Sequence, residues 1–215
     1  MRTLVTGANR GIGAALCDTL KDRGHEVLPT ARHYDGLVSL DVTDPGSQRD
    51  LARRLADETI DTLICNAGVF QDKNDKLEDG FSSETWAKTF EVNVTGVFLT
   101  IQSLLPMLRR AEDIGRIAII GSDLGSSASA NGGMYIYRAS KAAVLNLGLN
   151  LAQDLKKDGI AVGVYHPGWV QTDMGGTGGK LTRSESATGL ADRIEALDLD
   201  STGCFEAWDG RAMTV

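Results

Sequence analysis

Short apolar runs alternate with longer amphipathic segments along the whole chain. The apolar runs mark strands over residues 3–6, 26–28, 38–40, 62–65, 116–120, 161–165 and 204–208, and helical periodicity starts near Ile12, Gly46, Ser83, Tyr137 and Arg183. Thr182 and Glu185 add a T-x-x-E capping box just ahead of the Arg183 helix. Strands that alternate with helices predict a mostly parallel sheet covered on both faces. Right-handed crossovers leave few topologies for seven such strands, and the doubly wound α/β fold leads them. Two segments break the rhythm: residues 71–82 are polar and charged, and residues 172–181 hold four glycines. Each follows a strand, which places both as loops at the carboxyl edge of the sheet, where such folds bind ligands.

Two helical segments, 94–108 and 139–155, are apolar around much of their circumference. Val97, Phe98, Leu99, Ile101, Leu104 and Leu105 cannot all face one sheet, nor can Val144, Leu145, Leu147, Leu149 and Leu151. A homodimer or homotetramer that buries both helices is therefore expected.

Composition narrows the class without naming a function. With 215 residues, 42% hydrophobic and 24% charged, the chain reads as one globular domain over 1–215, without a linker or an internal repeat. Neither a secretory leader nor an apolar run of roughly 20 residues is visible, so no membrane partner is expected. Cys17, Cys65 and Cys204 are too few and too scattered for zinc or a disulfide framework. They read as reduced thiols of a cytoplasmic protein. The net charge of −7 argues against nucleic acid, which requires a basic face.

The first strand runs into a glycine-rich turn, Gly7-Ala8-Asn9-Arg10-Gly11-Ile12-Gly13, and then a helix start. Gly7 can take backbone angles closed to other residues, Gly11 leaves room for a pyrophosphate against the main chain, and Gly13 lets the helix pack closely. Free N–H groups at the helix start, helped by its dipole, favour a phosphate. The Rossmann version of the doubly wound fold binds a dinucleotide at this point. An NAD site usually carries an acid after the second strand, to bind the ribose 2′-hydroxyl. Here the chain reads Thr30-Ala31-Arg32-His33, with no acid. Arg32 can meet a 2′-phosphate with a forked pair of hydrogen bonds, with help from Arg10, so NADP(H) is expected over NAD(H).

Tyr137 and Lys141 stand four apart at a helix start, which puts phenol and ammonium on one face. A phenol is a poor acid–base group at neutral pH, its reference pKa being about 10. A neighbouring ammonium favours the phenolate and would let it exchange a proton with an alcohol or carbonyl.

Taken together, these motifs resemble the short-chain dehydrogenase/reductase family, over nearly the whole chain. Residues 6–13 match its T-G-x-x-x-G-x-G. Asp41-Val42 matches the acid that meets the adenine, and Asn66-Ala67-Gly68 the N-A-G after the fourth strand. Asn93 matches the asparagine of the long fourth helix, Ser122 the serine after the fifth strand, and Tyr137/Lys141 the Y-x-x-x-K. Pro167, Gly168, Val170 and Thr172 match P-G-x-V-x-T. Length, Tyr-Arg-Ala-Ser-Lys and the Cys-Phe-Glu-Ala-Trp-Asp-Gly ending are similar to C-factor and Sniffer-like carbonyl reductases.

The resemblance implies a carbonyl/alcohol oxidoreductase that needs no metal. Tyr137 would be the acid–base residue, and Lys141 would lower its pKa and hold the nicotinamide ribose. Ser122 would bind the substrate oxygen, and Asn93 would support a water chain to the lysine. Val170 and Thr172 would contact the carboxamide or a nearby phosphate. The sequence departs from the pattern at Gly121-Ser122, where Ser-Ser is usual, and in a longer separation between serine and tyrosine. Ser126 is the fallback serine. A non-catalytic NADP(H) sensor on the same fold is the alternative. Pocket shape is expected from residues 71–82, 123–134 and 172–181, and none of them carries a charge pattern that names a substrate.

Overall fold

The computed structural model describes residues 1–215. Seven strands form one sheet: β1 (Arg2–Val5), β2 (Glu26–Ala31), β3 (Val38–Ser39), β4 (Thr62–Cys65), β5 (Gly115–Ile120), β6 (Ile160–His166) and β7 (Cys204–Ala207). Their order is β3-β2-β1-β4-β5-β6-β7, and all six pairings are parallel. This is the doubly wound Rossmann arrangement, with the order reversing at β1 and β4. Six helices cover it: α1 (Gly11–Asp22), α2 (Pro45–Arg54), α3 (Ser83–Phe90), α4 (Gly96–Leu108), α5 (Tyr135–Leu155) and α6 (Arg183–Glu195).

Successive strand residues point to opposite faces, and this chain is apolar on both. Leu4, Leu63, Ile117, Ile119, Val162 and Val164 pack on one side with α2, α4 and α5. Val5, Ile64, Ala118, Ile120 and Tyr165 pack on the other with α1 and α6. Two cores, one per face, fix the register, because a one-residue slip would exchange them.

Most boundaries follow the sequence pattern, and the exceptions have local causes. β2 runs through Pro29, which the sequence reading places outside the strand. β3 pairs only with Thr30 and Ala31, so β2 is an edge at Pro29, where a missing N–H is tolerated. α2 starts at Pro45, capped by Asp44, whose carboxylate accepts from Gly46 N at 2.8 Å and Ser47 N at 3.2 Å. The capping box of α6 forms as expected. α3 and α4 join through a π-helical turn, Glu91–Thr95, into one helix over Ser83–Leu108. That helix is long and apolar enough to cross a membrane by length and composition, which the sequence reading overlooked. Here Val97, Ile101, Leu104 and Leu108 pack into the core.

Candidate active site

A cleft of ≈ 510 Å³ follows the carboxyl edge of the sheet, within the range of ligand pockets at roughly 300–1,000 Å³. Its centre is the glycine turn, sewn to the end of β4. The Thr6 hydroxyl accepts the N–H groups of Asn66 and Ala67 at 3.0 Å each. The Asn66 amide donates to the carbonyls of Thr6 and Gly7 at 2.9 and 3.1 Å. Gly7 is left-handed (φ +64°), and a Cβ there would lie 2.9 Å from the Ala67 backbone. At Gly13 a Cβ would lie 2.4 Å from both Asn66 Nδ2 and the Gly7 carbonyl. Gly13 thus lies beneath the turn and holds it shut, while Gly7, Asn66, Ala67 and Gly68 line the cleft.

Above this floor the first turn of α1 is bare. Arg10 gives no side-chain cap, and no acidic residue stands in the first turn. Asn9, Arg10, Gly11 and Ile12 face the cleft there. Uncapped N–H groups at a helix start, open to a cleft, form a site for an anion. A Cβ on Gly11 would meet only the Thr172 methyl, at 3.7 Å, so the space over the turn is open.

At the outer end, Arg32 is exposed and lines the cleft with His33, Asp41 and Val42. Burial would raise the Asp41 carboxyl pKa, but hydrogen bonds from Thr43 and the charges of Arg32 and Lys88 bring it below its ordinary value. Arg10, offered by the sequence as a helper of Arg32, lines the cleft and is paired with the exposed Asp173 of the 172–181 loop at 2.5 Å. His33 and Lys88 also line this end. His33 was legible beside Arg32; Lys88 arrives from α3 only through tertiary packing.

At the inner end Tyr137 and Lys141 share the cleft wall, both buried. Lys141 Nζ donates to the Ile120 carbonyl at 2.7 Å and lies 5.7 Å from the Tyr137 ring centroid. Burial lowers the lysine pKa to about 8. The expected lowering of the tyrosine pKa by this ammonium is absent from the protein alone. Burial pushes Tyr137 up to about 12, Ser122 pulls it back through a hydrogen bond, and the Asp123 and Asp72 carboxylates push it further up. Desolvation is the largest cause of the shift.

Ser122 lies close to Tyr137 but outside the cleft lining. Its hydroxyl also accepts from Leu124 N and donates to Asp123 Oδ1, each at 3.1 Å. Ser126 is tied to Ala128 N at 3.1 Å, capping a short 3₁₀ turn. Behind Ser122, the partly buried His166 accepts the Asp123 N–H at Nδ1, 3.1 Å away, and desolvation lowers its pKa.

Asn93 sits in the π turn, buried, and acts as a clamp. Its oxygen accepts from Val69 N at 2.8 Å, and its amide donates to the Val69 carbonyl at 2.9 Å and to Ser140 Oγ at 3.0 Å. Pro167 and Thr172 line the cleft. Gly168 and Val170 do not: Gly168 (φ +81°) leaves room for Leu181 and Trp208, and Val170 is buried under the 172–181 loop.

The sequence reading missed Phe70 and Asp72. The Phe70 ring stacks on Tyr137 with centroids 4.2 Å apart. The Asp72 carboxylate, fully buried, accepts the N–H groups of Ile136 at 2.8 Å and Tyr137 at 3.3 Å. Nothing in a polar loop read on its own distinguishes Asp72 from its charged neighbours.

A family model described as short chain dehydrogenase matches residues 2–180. The chain is 34% identical over 224 residues to a 1-hydroxy-2-glutathionyl-2-methyl-3-butene dehydrogenase of Rhodococcus sp. (strain AD45), covering 96% of each. It superimposes on an NADPH-bound carbonyl reductase from chicken fatty liver with a TM-score of 0.91 at 30% identity, covering 100% of this chain and 98% of that one. The carbonyl reductase Sniffer of D. melanogaster gives a TM-score of 0.92 at 25% identity, covering 100% and 99%.

Proposed function

We propose, for a chain that belongs to the short-chain dehydrogenase family, that it exchanges hydride between NADP(H) and a carbonyl or alcohol substrate. The observation that carries this reading is that Tyr137 and Lys141 share the inner end of a cleft whose outer end holds Arg32, with Ser122 beside Tyr137 just outside the cleft lining. The residues present fit a dinucleotide, since the bare first turn of α1 and the open space over Gly11 accommodate a pyrophosphate. Gly7, Asn9, Gly11 and Ile12 would hold that group. Arg32 would take the 2′-phosphate, Asp41 and Val42 the adenine side, and Pro167 and Thr172 the nicotinamide side. When bound, the cofactor supplies the hydride chemistry.

The chain's own residues handle the proton. Tyr137, held protonated by burial and by two carboxylates, is prepared to donate to a substrate oxygen during reduction. Ser122 would orient that oxygen by redirecting its hydroxyl, and the Lys141 ammonium would stabilise the phenolate left behind. NADPH oxidation measured across aldehydes, ketones and quinones tests the reading. Turnover on at least one class is expected, whereas tight NADPH binding with no reduction anywhere would favour a sensor.

The same reading extends to assembly. Phe98 is 39% exposed, and Leu99, Leu105, Leu147, Leu149 and Leu151 are only half-buried. This apolar strip on α4 and α5 suits a homodimer or homotetramer. Light scattering at micromolar concentration should give at least a dimer mass, and a monomer would remove the interface.

A further inference from the structure

The chain enters α5 through three successive left-handed residues, Gly132, Gly133 and Met134, with φ of 82°, 68° and 49°. Met134 occupies the N-cap position and makes no side-chain bond to the helix. The N–H groups of Ile136 and Tyr137, second and third in the helix, need an acceptor from elsewhere. Those are the two donors that a local Ser, Asp or Asn cap normally serves. Asp72 serves them instead, at 2.8 and 3.3 Å. Burying a carboxylate is costly unless donors satisfy it, so this contact is specific.

Asp72 also ends a run that leads from the nucleotide cleft to this helix. Asn66 and Ala67 are bound to Thr6, Val69 is clamped by Asn93, and Phe70 stacks on the Tyr137 ring. Residues 66–72 therefore grip Tyr137 twice, by its ring and by its backbone.

We infer that Asp72 is a positioning residue for Tyr137, its carboxylate capping α5 from the 71–82 loop in place of a local N-cap residue. The inference rests on the reading of Tyr137 as the proton donor. Its charge has a second effect, since Asp72 and Asp123 both raise the phenol pKa, opposed by Ser122. Of the other charged and titratable groups, Lys141 is bonded to Ile120, His166 sits behind Asp123, Arg138 is turned to Ser129 and Asn131, and Lys73 follows Asp72 in the loop. Replacing Asp72 by Asn keeps an acceptor for the helix but removes the charge. The phenol should then ionise at lower pH, and the alkaline fall of carbonyl reduction should move to lower pH with it.

Three measurements on Asp72→Ala and Asp72→Asn test this. Amide hydrogen exchange at residues 136–137 should accelerate by about tenfold in Asp72→Ala and return toward the parent in Asp72→Asn. Phenolate absorbance titration, with Tyr137→Phe as the blank, should give a lower Tyr137 pKa in Asp72→Asn. Turnover with NADPH should fall roughly 10- to 100-fold in Asp72→Ala, be largely restored in Asp72→Asn, and leave NADPH affinity unchanged. Unchanged exchange in Asp72→Ala, or an unmoved phenol in Asp72→Asn, overturns the inference. Exchange and titration respond whether or not the parent turns over. A parent that reduces nothing while both respond would overturn the oxidoreductase reading and leave the placement of Tyr137 by Asp72 standing.

Discussion

Tyr137→Phe should cut NADPH-dependent carbonyl reduction by about 10²–10⁴-fold while NADPH affinity changes little. The substitution removes one oxygen and keeps the ring that stacks on Phe70 at 4.2 Å, so the wall of the cleft persists. In the proposed mechanism the phenol acts in the transition state, where its proton would reach the substrate oxygen, so ground-state cofactor binding should not depend on it. Lys141→Ala should behave differently. It removes the donor to the Ile120 carbonyl at 2.7 Å and the cation that, in the proposed mechanism, would stabilise the phenolate. Turnover should fall, and cofactor affinity with it. Steady-state kinetics on any carbonyl that the parent reduces, paired with fluorescence titration of NADPH, separates the two variants. Full activity in Tyr137→Phe would dismiss the tyrosine as proton donor.

The inner end of the cleft shows where sequence reasoning reaches and where it stops. Strand–helix alternation gave the sheet because the central strands β4, β5 and β6 are buried along nearly their whole length and read as short apolar runs, while the outer strands β2, β3 and β7 are only partly buried. Tyr137 and Lys141 were legible because their contact is local, one helical turn apart. The pKa of Tyr137 was not, since it depends on burial and on Asp72 and Asp123, which the fold brings in from other segments. Asn93 was identified by motif alone. Its local environment, a π turn clamped to Val69 and Ser140, follows from packing between distant segments. The start of α5 was read two residues late for a related reason: its cap lies 64 positions upstream of Ile136. Helix-start signals in sequence are local, and this cap is not.

Arg32→Asp should reverse the cofactor preference, shifting the ratio of NADPH to NADH affinity by about 10²-fold. Arg32 is exposed at the end of β2 and lines the outer cleft, where no acid adjoins it in the chain. A charge-assisted hydrogen bond to a phosphate contributes roughly 1.5–3 kcal/mol, worth about ten- to a hundredfold in affinity. Exposure and salt reduce that figure, so the selectivity of the parent should weaken as ionic strength rises. An aspartate at the same place removes the attraction, repels the 2′-phosphate and offers an acceptor to the free 2′-hydroxyl of NADH. Arg32→Ala separates these contributions, since it should lose NADPH affinity without gaining any for NADH. Asp41 limits the gain, because its carboxylate is held ionised partly by the Arg32 charge, and a second acid beside it would raise its pKa. Fluorescence titration of both cofactors against parent and variants decides the matter, and equal affinities in the parent would remove Arg32 from the 2′-phosphate site.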